Sequence, residues 1–330
     1  MKRGSMHAPK FWSRPPGRPG ITARLLSPLS ALYGWVVRAR LKRPPQVRPA
    51  VPVICIGNLT LGGAGKTPVA IAILDRLSAM RAAPVALSRG YGGSLNGPVI
   101  VEPDHRANEV GDEPLLLARH APTIIAKDRA AGARACLTAG AGVIVMDDGF
   151  QNPAVAKDLS IAVVDSETGF GNGRVFPAGP MRETARDGLK RADAVILMGR
   201  GKFDPGHPRT LRASLRAPLS APFDGRRVVA FAGIGRPEKF FETLERAGAE
   251  IVAVFAYPDH HPYDDADMER MSALAQARGA SLATTEKDFM RLPPRLRRGV
   301  LTLPVEARFE DERALDALLR EALAHAHTAN

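Results

Sequence analysis

From residue 51 onward, short apolar runs alternate with longer amphipathic ones. Val51–Ile56 is unbroken apolar sequence, and Val69–Met80 places apolar residues at helical spacing, which predicts a buried strand followed by a helix. The same alternation predicts strands at Val85–Ser88, Val99–Glu102, Thr123–Ala126, Val143–Met146, Ile161–Val164 and Val195–Met198, with helices at Asp112–His120 and Asp128–Ala139. Strands separated by helices predict an α/β fold whose parallel sheet is covered on both faces. Residues 200–227 are rich in Pro, Arg and Gly and read as a connection. A second series follows: strands at Val228–Ala232, Ile251–Phe255, Ser281–Ala283 and Val300–Leu303, and helices at Pro237–Ala247 and Asp264–Arg278. The amphipathic stretch Glu310–Ala326 is predicted to close the chain as a helix. The expected organisation is a basic N-terminal segment over 1–50, a larger α/β domain over 51–220, and a smaller one over 221–330 that includes the closing helix.

Charge changes the picture at the N-terminus. Residues 1–50 hold 11 Lys and Arg and no Asp or Glu, whereas the other 280 hold 35 basic and 34 acidic residues. The excess positive charge therefore belongs almost wholly to one segment. A balanced body argues against nucleic acid as a partner and for an anionic surface near the N-terminus. Within that segment Leu25–Val37 is uncharged, carries Tyr33 and Trp35, and lies between Arg24 and the cluster Arg38, Arg40, Lys42 and Arg43. It is too short for a membrane span, which takes about 20 residues. Its composition suits a helix lying in a membrane face with anionic lipids; a helix packed on the domain, with its basic tail in solvent, is the other reading. A late apolar run with no small-residue cleavage pattern is not a signal peptide. Cys55 and Cys136 have no metal or disulfide spacing and read as reduced, buried thiols.

The candidate chemistry centres on Cys55-Ile-Gly-Asn-Leu-Thr-Leu-Gly-Gly-Ala-Gly-Lys-Thr-Pro68. Predicted strand, Gly-rich loop, Lys-Thr and predicted helix form the context of a phosphate-binding loop. Backbone N–H groups of Thr60, Leu61, Gly62, Gly63, Ala64 and Gly65 can wrap a polyphosphate at a helix N-terminus. Lys66 would reach the β- and γ-phosphates, and the Thr67 hydroxyl would sit on Mg²⁺. The general motif has glycine where this chain has Thr60; the Gly62-Gly63 pair partly replaces it. Leu61 stands where ATPases of the partitioning type carry a lysine, which argues against that class. No Asn-Lys-Xaa-Asp stretch specifies guanine.

Other signals fall at predicted strand ends, where open α/β sheets bind ligands. Asp147-Asp148 after Val143–Met146 reads as a second Mg²⁺ element. Asp112 reads by residue type as a helix cap. Asp259-His260-His261 offers a carboxylate and an imidazole that could deprotonate a sugar hydroxyl across a cleft, or a turn with surface histidines. A zinc site is disfavoured because no further ligand motif completes it. Arg129, and Arg174 and Arg182 in the loop 173–183, could clamp phosphate.

Gly57-Asn-Leu-Thr60 with Gly62–Pro68, Ser88-Arg-Gly-Tyr91, Gly111-Asp-Glu-Pro114, Asp147-Asp-Gly-Phe-Gln151, Pro177–Glu183, Asp259-His-His261 and Thr285-Glu-Lys-Asp288 recur in order over nearly the whole chain. This set resembles the tetraacyldisaccharide 4′-kinase family of lipid A biosynthesis, whose own phosphate loop has the Thr60 form. The resemblance implies a phosphate-loop kinase domain, a second α/β domain and a membrane-associated N-terminal helix. It implies transfer of the ATP γ-phosphate to the 4′-hydroxyl of tetraacyldisaccharide 1-phosphate, giving lipid IV-A, with Mg²⁺, at the cytoplasmic face of the inner membrane. The partner is then an anionic glycolipid in a lipid surface, with no obligate protein partner. Carried over by motif, Asp112 becomes the base with His260 beside it; His260 is chosen over His261 by its place after Asp259. Lys66 and Thr67 take phosphate and metal, Asp147, Asp148 and Glu113 the metal shell, Arg129, Gln151 and Arg182 phosphate or substrate, and Tyr91 the acceptor pocket. The competing reading is a non-kinase NTPase that acts as a membrane-associated switch or assembly factor.

Overall fold

A computed structural model describes residues 9–218 and 223–325. The first eight residues of the N-terminal segment, the domain boundary expected at 220/221, and the end of the closing helix at Ala326 lie outside the described residues.

Eight strands of the larger sheet come first: β1 (Val53–Asn58), β2 (Pro84–Ser88), β3 (Val99–Ile100), β4 (Thr123–Ile125), β5 (Val143–Asp147), β6 (Leu159–Asp165), β7 (Ala194–Met198) and β8 (Thr210–Arg216). The smaller sheet follows, with β9 (Arg227–Ala232), β10 (Glu250–Ala256), β11 (Ser281–Thr285) and β12 (Val300–Leu303). The chain then returns to the larger sheet as β13 (Glu306–Phe309). The larger order is β13-β8-β7-β6-β1-β5-β2-β4-β3 and the smaller is β10-β9-β11-β12. Pairing in the larger sheet is parallel except for β3 on β4 and β13 on β8, both at its edges. The central strands β1, β5, β6 and β7 are buried along their whole length, because helices cover both faces. On one face the helix Lys66–Ala79 contributes Val69, Ala70, Ile73, Leu74 and Leu77 to the core.

Two expectations change. The connection over 200–227 contains β8. Its sequence alternates Leu211, Ala213 and Leu215 with Arg and Ser, as a strand with one wet face does, and Pro, Arg and Gly around it hide the pattern. The closing helix Glu312–His325 belongs with the larger sheet, not with the second domain. Its apolar stripe of Leu315, Leu318, Leu319 and Ala322 enters the core of the helix Lys66–Ala79, and Arg76 of that helix pairs with Glu312 and Asp316.

The helix Ser27–Leu41 is preceded by the short helix Ile21–Leu25. No helix among the described residues is long and apolar enough to cross a membrane. One side is tied to the protein: Arg174 donates to Ser27 Oγ at 2.9 Å, the Ala178 N–H donates to Ser30 Oγ at 2.9 Å, and Tyr33 meets the Phe176 ring edge-on. The other side leaves Ile21, Leu25, Leu29, Leu32, Trp35 and Val36 exposed. The segment is thus packed on the domain and carries an open apolar stripe together. Ahead of it, Trp12 Nε1 donates to the Pro177 carbonyl at 3.1 Å. Cys55 and Cys136 are both free and buried.

Candidate active site

The ends of β1 and β5 lie side by side, since Ile56 pairs with Asp147 in parallel register. The loop after β1 opens at Gly62 and Gly65, whose φ of 106° and 83° only glycine adopts without strain. A Cβ on Gly62 or Gly63 would meet no atom within 4 Å, so the turn faces open space. Fully buried Asn58 sets the loop's shape: its Nδ2 donates to the Gly62 carbonyl at 3.1 Å, and its Oδ1 accepts from Lys66 Nζ at 3.2 Å. The loop 177–183 braces it from outside, through Leu61 N–H to the Pro180 carbonyl at 2.7 Å and Arg182 N–H to the Leu59 carbonyl at 2.8 Å. Thr67 follows Lys66 in the first turn of the helix.

Asp147 and Asp148 are placed differently. Asp148 has a left-handed backbone, φ 52°, and pairs with Lys66 at 3.1 Å and Arg182 at 3.0 Å. Burial works against its charge, but those two cations outweigh it and hold its carboxyl below the usual range. Asp147 is buried, and its Oδ1 has no hydrogen-bond partner. Burial, then the charge of Glu113, pushes its pKa up to about 7 against the pull of Lys66. Asp147 thus feels the charges of both Glu113 and Lys66, which links three sequence signals.

Gln151 Nε2 donates to the Asn58 carbonyl and to Glu183 Oε1, each at 3.0 Å, and its Oε1 faces Arg182. Arg129 is buried and donates to the carbonyls of Ala126 and Asp147, at 3.1 and 3.2 Å, so those donors serve the frame beneath the site.

The smaller sheet supplies the opposite wall. A Cβ on Gly235, after β9, would lie 3.8 Å from the Gly63 nitrogen. Asp112 starts the helix Asp112–Leu117 and is not its cap, a place Gly111 takes. The reading by residue type is corrected here: the side chain meets its helix only at the adjacent N–H and otherwise reaches the smaller domain. Asp112 Oδ1 accepts from the Glu113 N–H at 2.9 Å; Oδ2 meets His260 Nδ1 at 3.2 Å and accepts from Arg291 Nε at 2.7 Å. Burial opposes its charge, but His260, Lys287 and Arg291 prevail and hold its pKa well below the carboxylate range. His260 is left-handed, φ 59°, and its ring meets that of Tyr91 edge-on at 5.3 Å. His261 points elsewhere, bonding Asp267 at 2.7 Å and stacking on Tyr257. Glu113 pairs with Lys287 at 3.0 Å.

Residues outside the sequence reading complete the wall. Asp165, at the end of β6, accepts from Arg236 and Lys239 beyond β9 and from the Thr168 N–H, which ties the two sheets together. Burial resists the charge, yet these donors pull its pKa to about 2. A depressed carboxylate pKa gives stability that is complete above the unfolded value and lost as pH falls toward the folded one. Asp165→Asn is therefore expected to cost on the order of 2 kcal/mol at pH 7, with roughly half of that gap left at pH 3. Urea midpoints at the two pH values check it; an equal gap at both would remove the ion pair as the cause. Arg236 and Lys239 carry no motif, and only folding brings them to Asp165.

A phosphate loop with its lysine held between an amide and a carboxylate, and a carboxylate–imidazole pair across a cleft, define a phosphate-loop phosphotransferase. The family model described as tetraacyldisaccharide-1-P 4′-kinase matches residues 22–324. The chain belongs to that family, the ATP-dependent kinases of lipid A biosynthesis. A tetraacyldisaccharide 4′-kinase of Rhodospirillum centenum is 53% identical, covering 96% of this chain and 97% of its own. One from Methylorubrum extorquens is 51% identical, covering 97% of this chain and 100% of its own. Among solved structures, LpxK from Aquifex aeolicus in complex with ATP superposes with a TM-score of 0.75 at 27% identity, covering 92% of this chain and 100% of that one. ATP is the nucleotide this likeness supports.

Proposed function

We propose that the chain transfers the γ-phosphate of ATP to the 4′-hydroxyl of tetraacyldisaccharide 1-phosphate, with the acceptor hydroxyl activated by Asp112 and His260. The observation that carries this reading is the Asp112–His260 contact, formed between the helix Asp112–Leu117 and the loop after β10, in the domain whose Gly235 comes close to Gly63 of the phosphate loop. In this reading, Lys66 and the loop N–H groups, except that of Leu61, which is given to the Pro180 carbonyl, hold the β- and γ-phosphates. Arg182 and Gln151, fixed by Glu183, line the side where charge shifts during transfer. Tyr91, exposed beside His260, offers the acceptor sugar a ring to lie on. Closure of the two sheets around both substrates keeps water from competing for the γ-phosphate.

The residues fit Mg²⁺. Asp147 Oδ1 is buried without a partner, as a carboxylate awaiting a cation would be. Mg²⁺ beside a nucleotide is commonly held by one or two carboxylates and by phosphate oxygens. Thr67 and Asp147 would hold it, with Asp148 reachable only by leaving Lys66 and Arg182 and Glu113 only by leaving Lys287, and it would neutralise charge on the β- and γ-oxygens.

The function is tested in detergent micelles with γ-labelled ATP and tetraacyldisaccharide 1-phosphate. Label on the lipid, abolished by chelating Mg²⁺, is expected. Label released only as free phosphate, at one rate with or without lipid, would instead support the switch-type NTPase.

The finer location follows from the same chemistry. The apolar stripe Ile21–Val36 lies beside Arg24, Arg40, Lys42 and Arg43, so the protein is expected to lie on the anionic cytoplasmic face of the inner membrane, where its glycolipid substrate resides. Replacing Leu29 and Leu32 together by Glu is expected to lower binding to vesicles containing anionic lipid by about tenfold or more, since two apolar contacts are lost. Undiminished co-sedimentation would show that another surface makes the contact.

A further inference from the structure

Arg291 closes the helix Glu286–Arg291, which follows β11 in the smaller sheet, and its side chain is 6% exposed. Its Nε donates to Asp112 Oδ2 at 2.7 Å. Its Nη1 donates to the Gly233 carbonyl at 2.8 Å and lies 3.1 Å from Asp288 Oδ1. That same Gly233 carbonyl accepts the His260 N–H at 3.0 Å. Asp288, fully buried, also accepts from the Gly233 N–H at 2.9 Å and the Tyr263 hydroxyl at 2.8 Å on Oδ1, and from Thr285 Oγ1 at 2.6 Å on Oδ2. One guanidinium therefore touches the carboxylate of one sheet and the backbone that carries the histidine of the other.

We propose that Arg291 is a positioning residue for phosphoryl transfer, fixing the Asp112 carboxylate and the His260 loop in a single frame anchored on Asp288. The proposal rests on the assignment of proton transfer to Asp112 and His260.

The geometry asks for arginine. A planar guanidinium addresses two acceptors at a fixed angle, whereas an ammonium on a flexible stem serves as one point charge. Arg291 Nη2 is buried and has no partner, a cost accepted only where the remaining donors must be placed as they are. Lys287 on the same helix is committed to Glu113, so it does not duplicate the role. The carboxylate has no other way to be held in line: Oδ1 has the adjacent N–H alone, and rotation about its side chain would carry Oδ2 away from His260.

The test uses the full-length protein in the micelle assay, with ADP affinity measured by calorimetry. Arg291→Met is expected to lower kcat about 100-fold, with KM for ATP and ADP affinity changed less than about threefold, because the lost interaction orients a reacting group and not the nucleotide. Arg291→Lys, which restores one donor and the charge, is expected to recover about tenfold over Met. In an Asp112→Asn background, Arg291→Met should cost less than about threefold more, as for two residues acting through one another. Near-parent kcat in Arg291→Met, equal losses in Met and Lys, or a full further loss in the Asp112→Asn background would each overturn the proposal. If the Met chain does not fold, Arg291→Lys decides by itself: a drop of about tenfold in kcat with unchanged KM for ATP supports it, and parent-like kcat ends it. Parent-like turnover in Asp112→Asn alone would overturn the proton-transfer assignment, a failure separate from an inert Arg291 beside an inactive Asp112→Asn.

Discussion

Asp112→Asn is expected to lower kcat by about 10³-fold while ATP still binds with near-parent affinity, as loss of a general base does. Asparagine keeps the size and can still accept from Arg291 on its oxygen. It removes the negative charge that draws His260 Nδ1 and the proton-accepting capacity of the pair. The substitution touches neither Asn58 nor Asp148, the two groups that hold Lys66, so nucleotide binding has little reason to change. ADP affinity by calorimetry and kcat from lipid labelling separate the two. The charge balance gives a second readout. Three basic groups, His260, Lys287 and Arg291, face this carboxylate, and burial alone opposes its ionisation. Removing it leaves Arg291 with Asp288 as its one carboxylate, and a lower melting temperature is expected beside the loss of rate. Turnover within about fivefold of the parent would take Asp112 out of the base role, since general-base losses are far larger.

Lys66→Met is expected to cost about 10²- to 10³-fold in kcat/KM for ATP, the range found when one preorganised charge at a developing anion is removed. Lys66 sits 3.2 Å from Asn58 Oδ1 and 3.1 Å from Asp148 Oδ1, so its ammonium is aimed before any nucleotide arrives. Methionine keeps much of the stem's volume and none of that aim. Arg182 remains on Asp148, which leaves the loop 177–183 braced. The loss should therefore fall on γ-phosphate handling: ATP should weaken more than AMP, which lacks the β- and γ-phosphates. Equal weakening of both nucleotides would mean that the helix start, and not a phosphate contact, had been damaged.

The two predictions differ in how far ahead of the structure they could be made. Lys66 was legible because a phosphate loop is local: strand, glycines and helix start are contiguous, and each follows from the residues that form it. Asp112 was legible only through its resemblance to a family. By itself an Asp at a helix start is most simply a cap, and the structure shows the cap position held by Gly111. Order along the chain likewise does not separate His260 from His261. Folding decides it, since the left-handed turn at His260 sends one ring to Asp112 and the next to Asp267. Arg129 shows the opposite case, a cation placed by sequence at phosphate that folding gives to two backbone carbonyls.

The sequence alone determined the α/β class, the central strands, the phosphate loop at the end of β1 and the confinement of excess positive charge to residues 1–50. These follow from side-chain periodicity and local backbone preference, which act over a few residues. The tertiary structure alone decided that β8 lies inside the Pro- and Arg-rich connection and that β13 and the closing helix return to the first sheet. It also decided that Asp165, Arg236 and Lys239 join the two sheets, and that Arg291 reaches Asp112 from 179 residues away. Edge pairing, helix docking and ion pairs of that span depend on which surfaces remain unburied once the central sheet has formed. No local stretch of sequence carries that information.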